Sequence, residues 1–177
     1  MADVSVEDLT RFCGGIPVGI FEGLEAPQLQ ALSDIASRQS FDVDEVIIAD
    51  GESGDTMYLL LSGKVRVSKK LYFRQGRSMV QGDREVIELP AEWNPYFGEL
   101  ALFDANALRT AAVTGSEAGE LAVFRNADFF SLAEGDHDTG YIVCKNVLTK
   151  AVSTISKGNE NVINLTTALS FALSAKA

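Results

Sequence analysis

Apolar residues follow two rhythms along this chain. Val6 to Phe12 and Pro27 to Ser37 space them three and four apart, with Leu29, Leu32, Ile35 and Ala36 on one side, which predicts two N-terminal helices. Pro27 suits a first turn, where the amide it lacks would have no partner. From Gln39 to about Phe124 the rhythm shortens to β-type runs parted by turn residues: Val46 to Ala49, Thr56 to Leu61, Lys64 to Ser68, Met79 to Gln81, Arg84 to Leu89, Ala111 to Val113 and Leu121 to Phe124. Ser62-Gly63 has hairpin chemistry between two of these runs, and Asp50-Gly51 with Ser53-Gly54-Asp55 marks a further turn cluster. The pattern predicts a mainly β fold with flanking α: a double-stranded β-helix, or jelly-roll barrel, with N-terminal helices and a long C-terminal helix.

After Arg125 the helical spacing returns. Asn126 is placed to cap Ala127 to Glu134, and Asp136 to Asp138 open a longer helix. Counted in sevens, Tyr141, Leu148, Ile155, Val162 and Leu169 form one stripe, with Cys144, Ala151, Gly158, Leu165 and Ala172 three positions on, a heptad seam. Gly158-Asn159 either ends that helix or is a small-residue step within it. Three regions follow: 1–38 helical, 39–125 barrel, and 126–177 hinge and dimerisation helices.

With 177 residues, 46% apolar and 23% charged, the chain fits one globular domain. A formal net charge of −10 argues against nucleic acid as a partner, since a phosphate backbone rewards clustered Lys and Arg. Cys13 and Cys144 are too few for a disulfide scaffold, and Asp3, Glu7 and Asp8 stand where a signal peptide would be basic. The apolar tail Val162 to Ala175 is interrupted by Asn164, Thr166, Thr167 and Ser170, so no membrane span is expected and the cytoplasm is the expected location.

The candidate chemistry lies in FGELALFDANALRTAAV, Phe97 to Val113. Gly98 lets the backbone approach a ligand, and Glu99 opens a short turn, Leu100-Ala101-Leu102, whose first amides lack intrahelical partners and attract anions. Ten residues after Glu99 stands Arg109, a permanently charged planar donor, followed by the Thr110 hydroxyl. An anion pocket follows, one the net charge does not forbid, because contacts act locally while remote charges are screened within about 10 Å. Tyr58, Phe97 and Phe103 read as barrel core.

FGELAL, a short loop and then Arg-Thr-Ala-Ala-Val resemble the phosphate-binding cassette of cyclic-nucleotide-binding domains. Upstream, GESGDTMYLLLSGKVRV, Gly51 to Val67, is similar to a second signature of the same family, in the right order. The resemblance covers about residues 20 to 157 and is closest to the bacterial catabolite-activator type (cAMP receptor protein), which also spaces its acid and arginine ten apart. It implies a ligand, cAMP favoured over cGMP, and no cofactor. Glu99 would accept the ribose 2′-OH and Arg109 would bind the exocyclic phosphate, while Gly98, Leu100 and Ala101 contribute backbone. Thr110 could bond a phosphate oxygen, a guanine amino group or its own backbone. Thr154 falls where that type reaches the base from the dimer helix, or else bonds back to a helix carbonyl. The equivalent helix pairs subunits in that type, so a parallel homodimer is expected.

Two departures stand out: Leu108 occupies a position where many relatives carry proline, and Lys69 to Asp83 is longer than the usual hairpin and reads as an extended strand pair or loop. Residues Asn159 to Ala177 lack the helices and basic residues of a helix-turn-helix, so the DNA-binding domain is not expected. An enzyme is not expected either: a metal-dependent jelly roll needs several histidines, and the one present, His137, falls at a helix start outside the strands. Haem or iron–sulfur sensing lacks its ligands too. The reading is a non-catalytic nucleotide-binding module; the alternative is a nucleotide-free interaction or dimerisation scaffold on the same fold.

Overall fold

The computed structural model describes residues 3–15, 17–75, 78–103 and 108–174. Helices α1 (Val6–Thr10) and α2 (Ala26–Ile35) precede strands β1 (Ser37–Phe41), β2 (Val46–Ile48), β3 (Thr56–Gln75), β4 (Ser78–Pro90), β5 (Tyr96–Phe97) and β6 (Ala112–Arg125). Helices α3 (Asn126–Gly135) and α4 (His137–Ser174) end the chain, and a one-turn 3-10 helix, Glu99–Leu102, lies between β5 and β6. The sheet is antiparallel in the order β1-β6-β3-β4, with β2 on β6 and β5 on β3, and among the described residues it does not close into a barrel. The expected fold class is otherwise the one observed.

Capping boxes start the first two helices. The Ser5 hydroxyl accepts from the Asp8 amide at 3.1 Å while the Asp8 carboxylate accepts from the Ser5 amide at 2.9 Å. Glu25 and Gln28 repeat the device on α2.

The long strands explain why apolar runs lose their alternation. Along β6, Leu121 and Val123 join a cluster inside the roll with Phe41, Leu60 and Val65, while Ala122 and Phe124 join a second cluster under the helices with Leu9, Leu59, Phe129 and Val143. Both faces are covered, so the run is apolar throughout. A buried side chain of this size contributes about 1.5–3 kcal/mol.

The structure corrects some expectations and meets others. Ser62-Gly63 does not make a hairpin: β3 runs through it, and the register against β6 slips between Leu60 and Val65, a bulge that lets one strand turn a corner. The segment after Lys69 is an extended strand pair, with β3 and β4 in register from Lys64 opposite Pro90 to Gln75 opposite Ser78, apart from one irregularity at Val67/Ser68. Phe103 is not core; it is 46% exposed, its ring edge-on to Phe130. Phe97 is buried, and Tyr58 is half-buried and stacked on it at 5.6 Å. Asn126 does not cap α3, where Arg125 holds the cap position without a side-chain bond. Its side-chain amide donates instead to the carbonyls of Ala101, at 3.1 Å, and Leu102.

Asp136 does cap α4, accepting from the Thr139 amide at 3.1 Å and hydroxyl at 2.6 Å. Nor does Gly158 end α4: it does not adopt the positive φ of a helix stop, and one mid-helix glycine, costing about 1 kcal/mol, does not break so long a helix. The first third of α4 is anchored by buried Val143 and Val147 and by Asn146, whose side-chain amide donates to the carbonyls of Ile20 and Glu22. Beyond Ala151 the helix leaves the body, with Ile155, Val162, Leu165 and Leu169 more than half exposed.

Candidate functional site

Arg109 is held by three separate segments. Its amide donates to the Glu52 carbonyl at 2.8 Å and its carbonyl accepts from the Gly51 amide at 2.9 Å, beside an isolated bridge between Ser53 and Leu108. Its guanidinium donates to the carbonyls of Thr56, at 2.9 Å, and Gly98, at 3.3 Å, and to the Thr56 hydroxyl at 3.1 Å. These neutral acceptors orient the head without cancelling its charge. The head fits where two glycines leave room: a Cβ on Gly54 would lie 2.5 Å from Nη2, and one on Gly98, whose φ of 74° also favours glycine, would lie 2.7 Å from Nη1. The two sequence motifs are therefore one construction, the upstream turn gripping the downstream arginine.

Glu99 opens the 3-10 turn and is tied to α4. Its carboxylate pairs with Lys150 Nζ at 3.2 Å, and the same ammonium donates to the Tyr96 carbonyl at 2.8 Å and sits 3.4 Å from the centre of the Tyr96 ring. Burial pulls the Lys150 ammonium below its ordinary value, and the Glu99 charge works against that shift. Burial, then the nearby Glu99, push the Tyr96 phenol up. Within the turn, the Ala101 amide is spent on the Gly98 carbonyl at 3.1 Å. A 3-10 turn beginning there leaves the amides of Glu99 and Leu100 to offer a ligand.

Gly98, Glu99, Leu100, Ala101, Arg109, Thr110 and Thr154 line a single cavity of about 340 Å³, together with Leu108, Ala151 and Ile155. Its size suits a small ligand. Thr110 is exposed at the rim. The Thr154 hydroxyl donates back to the Lys150 carbonyl at 3.0 Å, so this residue faces the cavity with its proton already engaged. His137 stays outside, exposed at the start of α4. Among the described residues no group of three or more His, Cys, Asp and Glu could hold a metal ion, and no helix is long and apolar enough to cross a membrane.

The family model for the cyclic nucleotide-binding domain matches residues 38–136, more than half of the chain. The chain belongs to this family. It is 29% identical over 109 residues to the CRP-like cAMP-activated global transcriptional regulator of Mycobacterium tuberculosis, covering 62% of this chain and 45% of that protein. Over 123 residues it is 26% identical to the cGMP-dependent protein kinase egl-4 of Caenorhabditis briggsae, covering 69% of this chain and 15% of that one. It thus spans less than half the length of either relative. The Thermus thermophilus catabolite activator protein superposes with a TM-score of 0.69 at 23% identity, over 83% of this chain and 62% of that one, a likeness of fold.

Sequence reading of this cyclic nucleotide-binding domain missed Lys150, Thr56 and the part played by Gly54. Lys150 precedes Thr154 by one helical turn and so shares its face, which is a usable signal once α4 is placed on the turn. Thr56 and Gly54 act through backbone position and the space they leave, and nothing in their local spacing announces that.

Proposed function

We propose that this domain binds a cyclic nucleotide, cAMP in preference to cGMP, in the cavity between the Glu99–Leu102 turn and α4, and that it is a non-catalytic regulatory module. Arg109 takes the exocyclic phosphate oxygens, helped by the amides of Glu99 and Leu100 and by the Thr110 hydroxyl. Glu99 accepts the ribose 2′-OH, Gly98 and Ala101 shape the backbone around the sugar, and Thr154 lies toward the base. The observation that carries this reading is the convergence of all seven residues on one cavity, with a part-buried guanidinium whose hydrogen-bond acceptors among the described residues are all neutral.

Occupancy passes to α4 because Ala151, Thr154 and Ile155 offer contacts to a ligand only while the helix lies against the turn. That is the differential affinity a switch needs. A ribose hydroxyl on Glu99 also competes with Lys150, and Asn126 ties the end of the turn to α3. The exposed stripe Tyr141, Leu148, Ile155, Val162 and Leu169 supports a parallel homodimer through α4. The net charge of −10 speaks against a nucleic-acid partner.

Thermal unfolding with cAMP, cGMP, AMP and no ligand tests the assignment. A ligand at 100 times its dissociation constant stabilises by about 2.7 kcal/mol, a rise of about 5–10 °C for a domain of this size. The expected order is cAMP above cGMP, with AMP near zero. No rise with either cyclic nucleotide supports the nucleotide-free scaffold instead.

A further inference from the structure

The ion pair between Glu99 and Lys150 is a wall with a cavity on each side. Glu99 lines the cavity described above, whereas Lys150 lines a second one of about 270 Å³, together with Val18, Leu89, Trp93, Pro95 and Tyr96. The geometry points to this second cavity as a separate binding site for a small planar aromatic carboxylate, its ring against Trp93 and its acid group on Lys150.

Four observations carry the assignment. The walls are mostly apolar and aromatic with one charged group at the end, the composition of a small-molecule pocket. Trp93, the chain's single tryptophan, is 63% exposed although it stands between the Ala91 and Tyr96 positions, which are 6% and 7% exposed. A large ring left uncovered there offers a stacking face. Lys150 lines this cavity while pairing with Glu99 and donating to the Tyr96 carbonyl, so an incoming acid shares the ammonium with Glu99 in charge-assisted hydrogen bonds. The ammonium is fixed over the Tyr96 ring at 3.4 Å and therefore needs no reorganisation to meet a ligand. The acidic surface does not forbid such an anion, since remote charges are screened over about 10 Å while this contact is direct.

Calorimetric titration of 2-naphthoate, with 2-naphthylmethylamine as the same ring bearing the opposite charge, tests the site. The expected result is one naphthoate per chain, bound at least tenfold more tightly than the amine. Trp93→Ala weakens naphthoate at least tenfold while leaving the cAMP-induced thermal shift unchanged, and Lys150→Gln removes the preference for acid over amine. Arg109→Ala leaves naphthoate binding intact, which separates this site from the nucleotide cavity and makes its failure distinguishable from failure of the nucleotide assignment. Equal binding of acid and amine, unchanged affinity in Trp93→Ala, or loss of naphthoate binding in Arg109→Ala each overturns the proposal.

Discussion

Gly54 has no side chain to offer a ligand, yet the Arg109 head lies where its side chain would be. Gly54→Ala is expected to leave the fold intact, because the far end of a flexible side chain can swing aside. The displaced guanidinium then meets the phosphate poorly. A charge-assisted hydrogen bond contributes about 1.5–3 kcal/mol, so cAMP affinity should fall about tenfold or more by titration; unchanged affinity would show that the position of the head is immaterial. At this scale the sequence was informative where a residue's own chemistry does the work, as with Glu99 and Arg109. It was silent on Lys150, whose relevance depends on where α4 lands, and it misplaced Asn126, whose amide prefers the turn's carbonyls to a cap.

Among elements, α4 separates what local pattern specifies from what packing decides. Its heptad spacing and its start at Asp136 to Asp138 were legible, while its continuity through Gly158 was not, because a glycine stop and a tolerated glycine look alike until flanking turns are weighed. The strands show the same limit. Ser62-Gly63 has hairpin composition, but β6 continues opposite it, and cross-strand pairing turns the expected reversal into a bulge. Exposed Ile155 and Leu165 lie on the proposed seam. Sedimentation equilibrium at micromolar concentration should therefore find a dimer, and Ile155→Glu with Leu165→Glu should make it monomeric, since charges cannot be buried unpaired at such positions. A monomeric wild-type chain, with and without cAMP, would remove the seam.

For the molecule as a whole, composition set expectations about partners and did not identify the family. A net charge of −10 spoke against nucleic acid, and the lack of an 18-residue apolar run spoke against a membrane helix. The fold class came from alternation and turns. The family came from two gapped motifs that the structure joins at Arg109, and the match over residues 38–136 agrees with them. What ties these levels together is a permanent positive charge held by Thr56 and Gly98 at the edge of a cavity large enough for one small ligand. Isothermal titration of cAMP into the wild-type chain and into Arg109→Ala, with circular dichroism to verify the fold of both, tests this most directly. The account predicts one cAMP per wild-type chain and a loss of about a hundredfold in the variant, two charge-assisted bonds' worth. Equal affinity in the two proteins, or no binding of any cyclic nucleotide to the wild type, would contradict it.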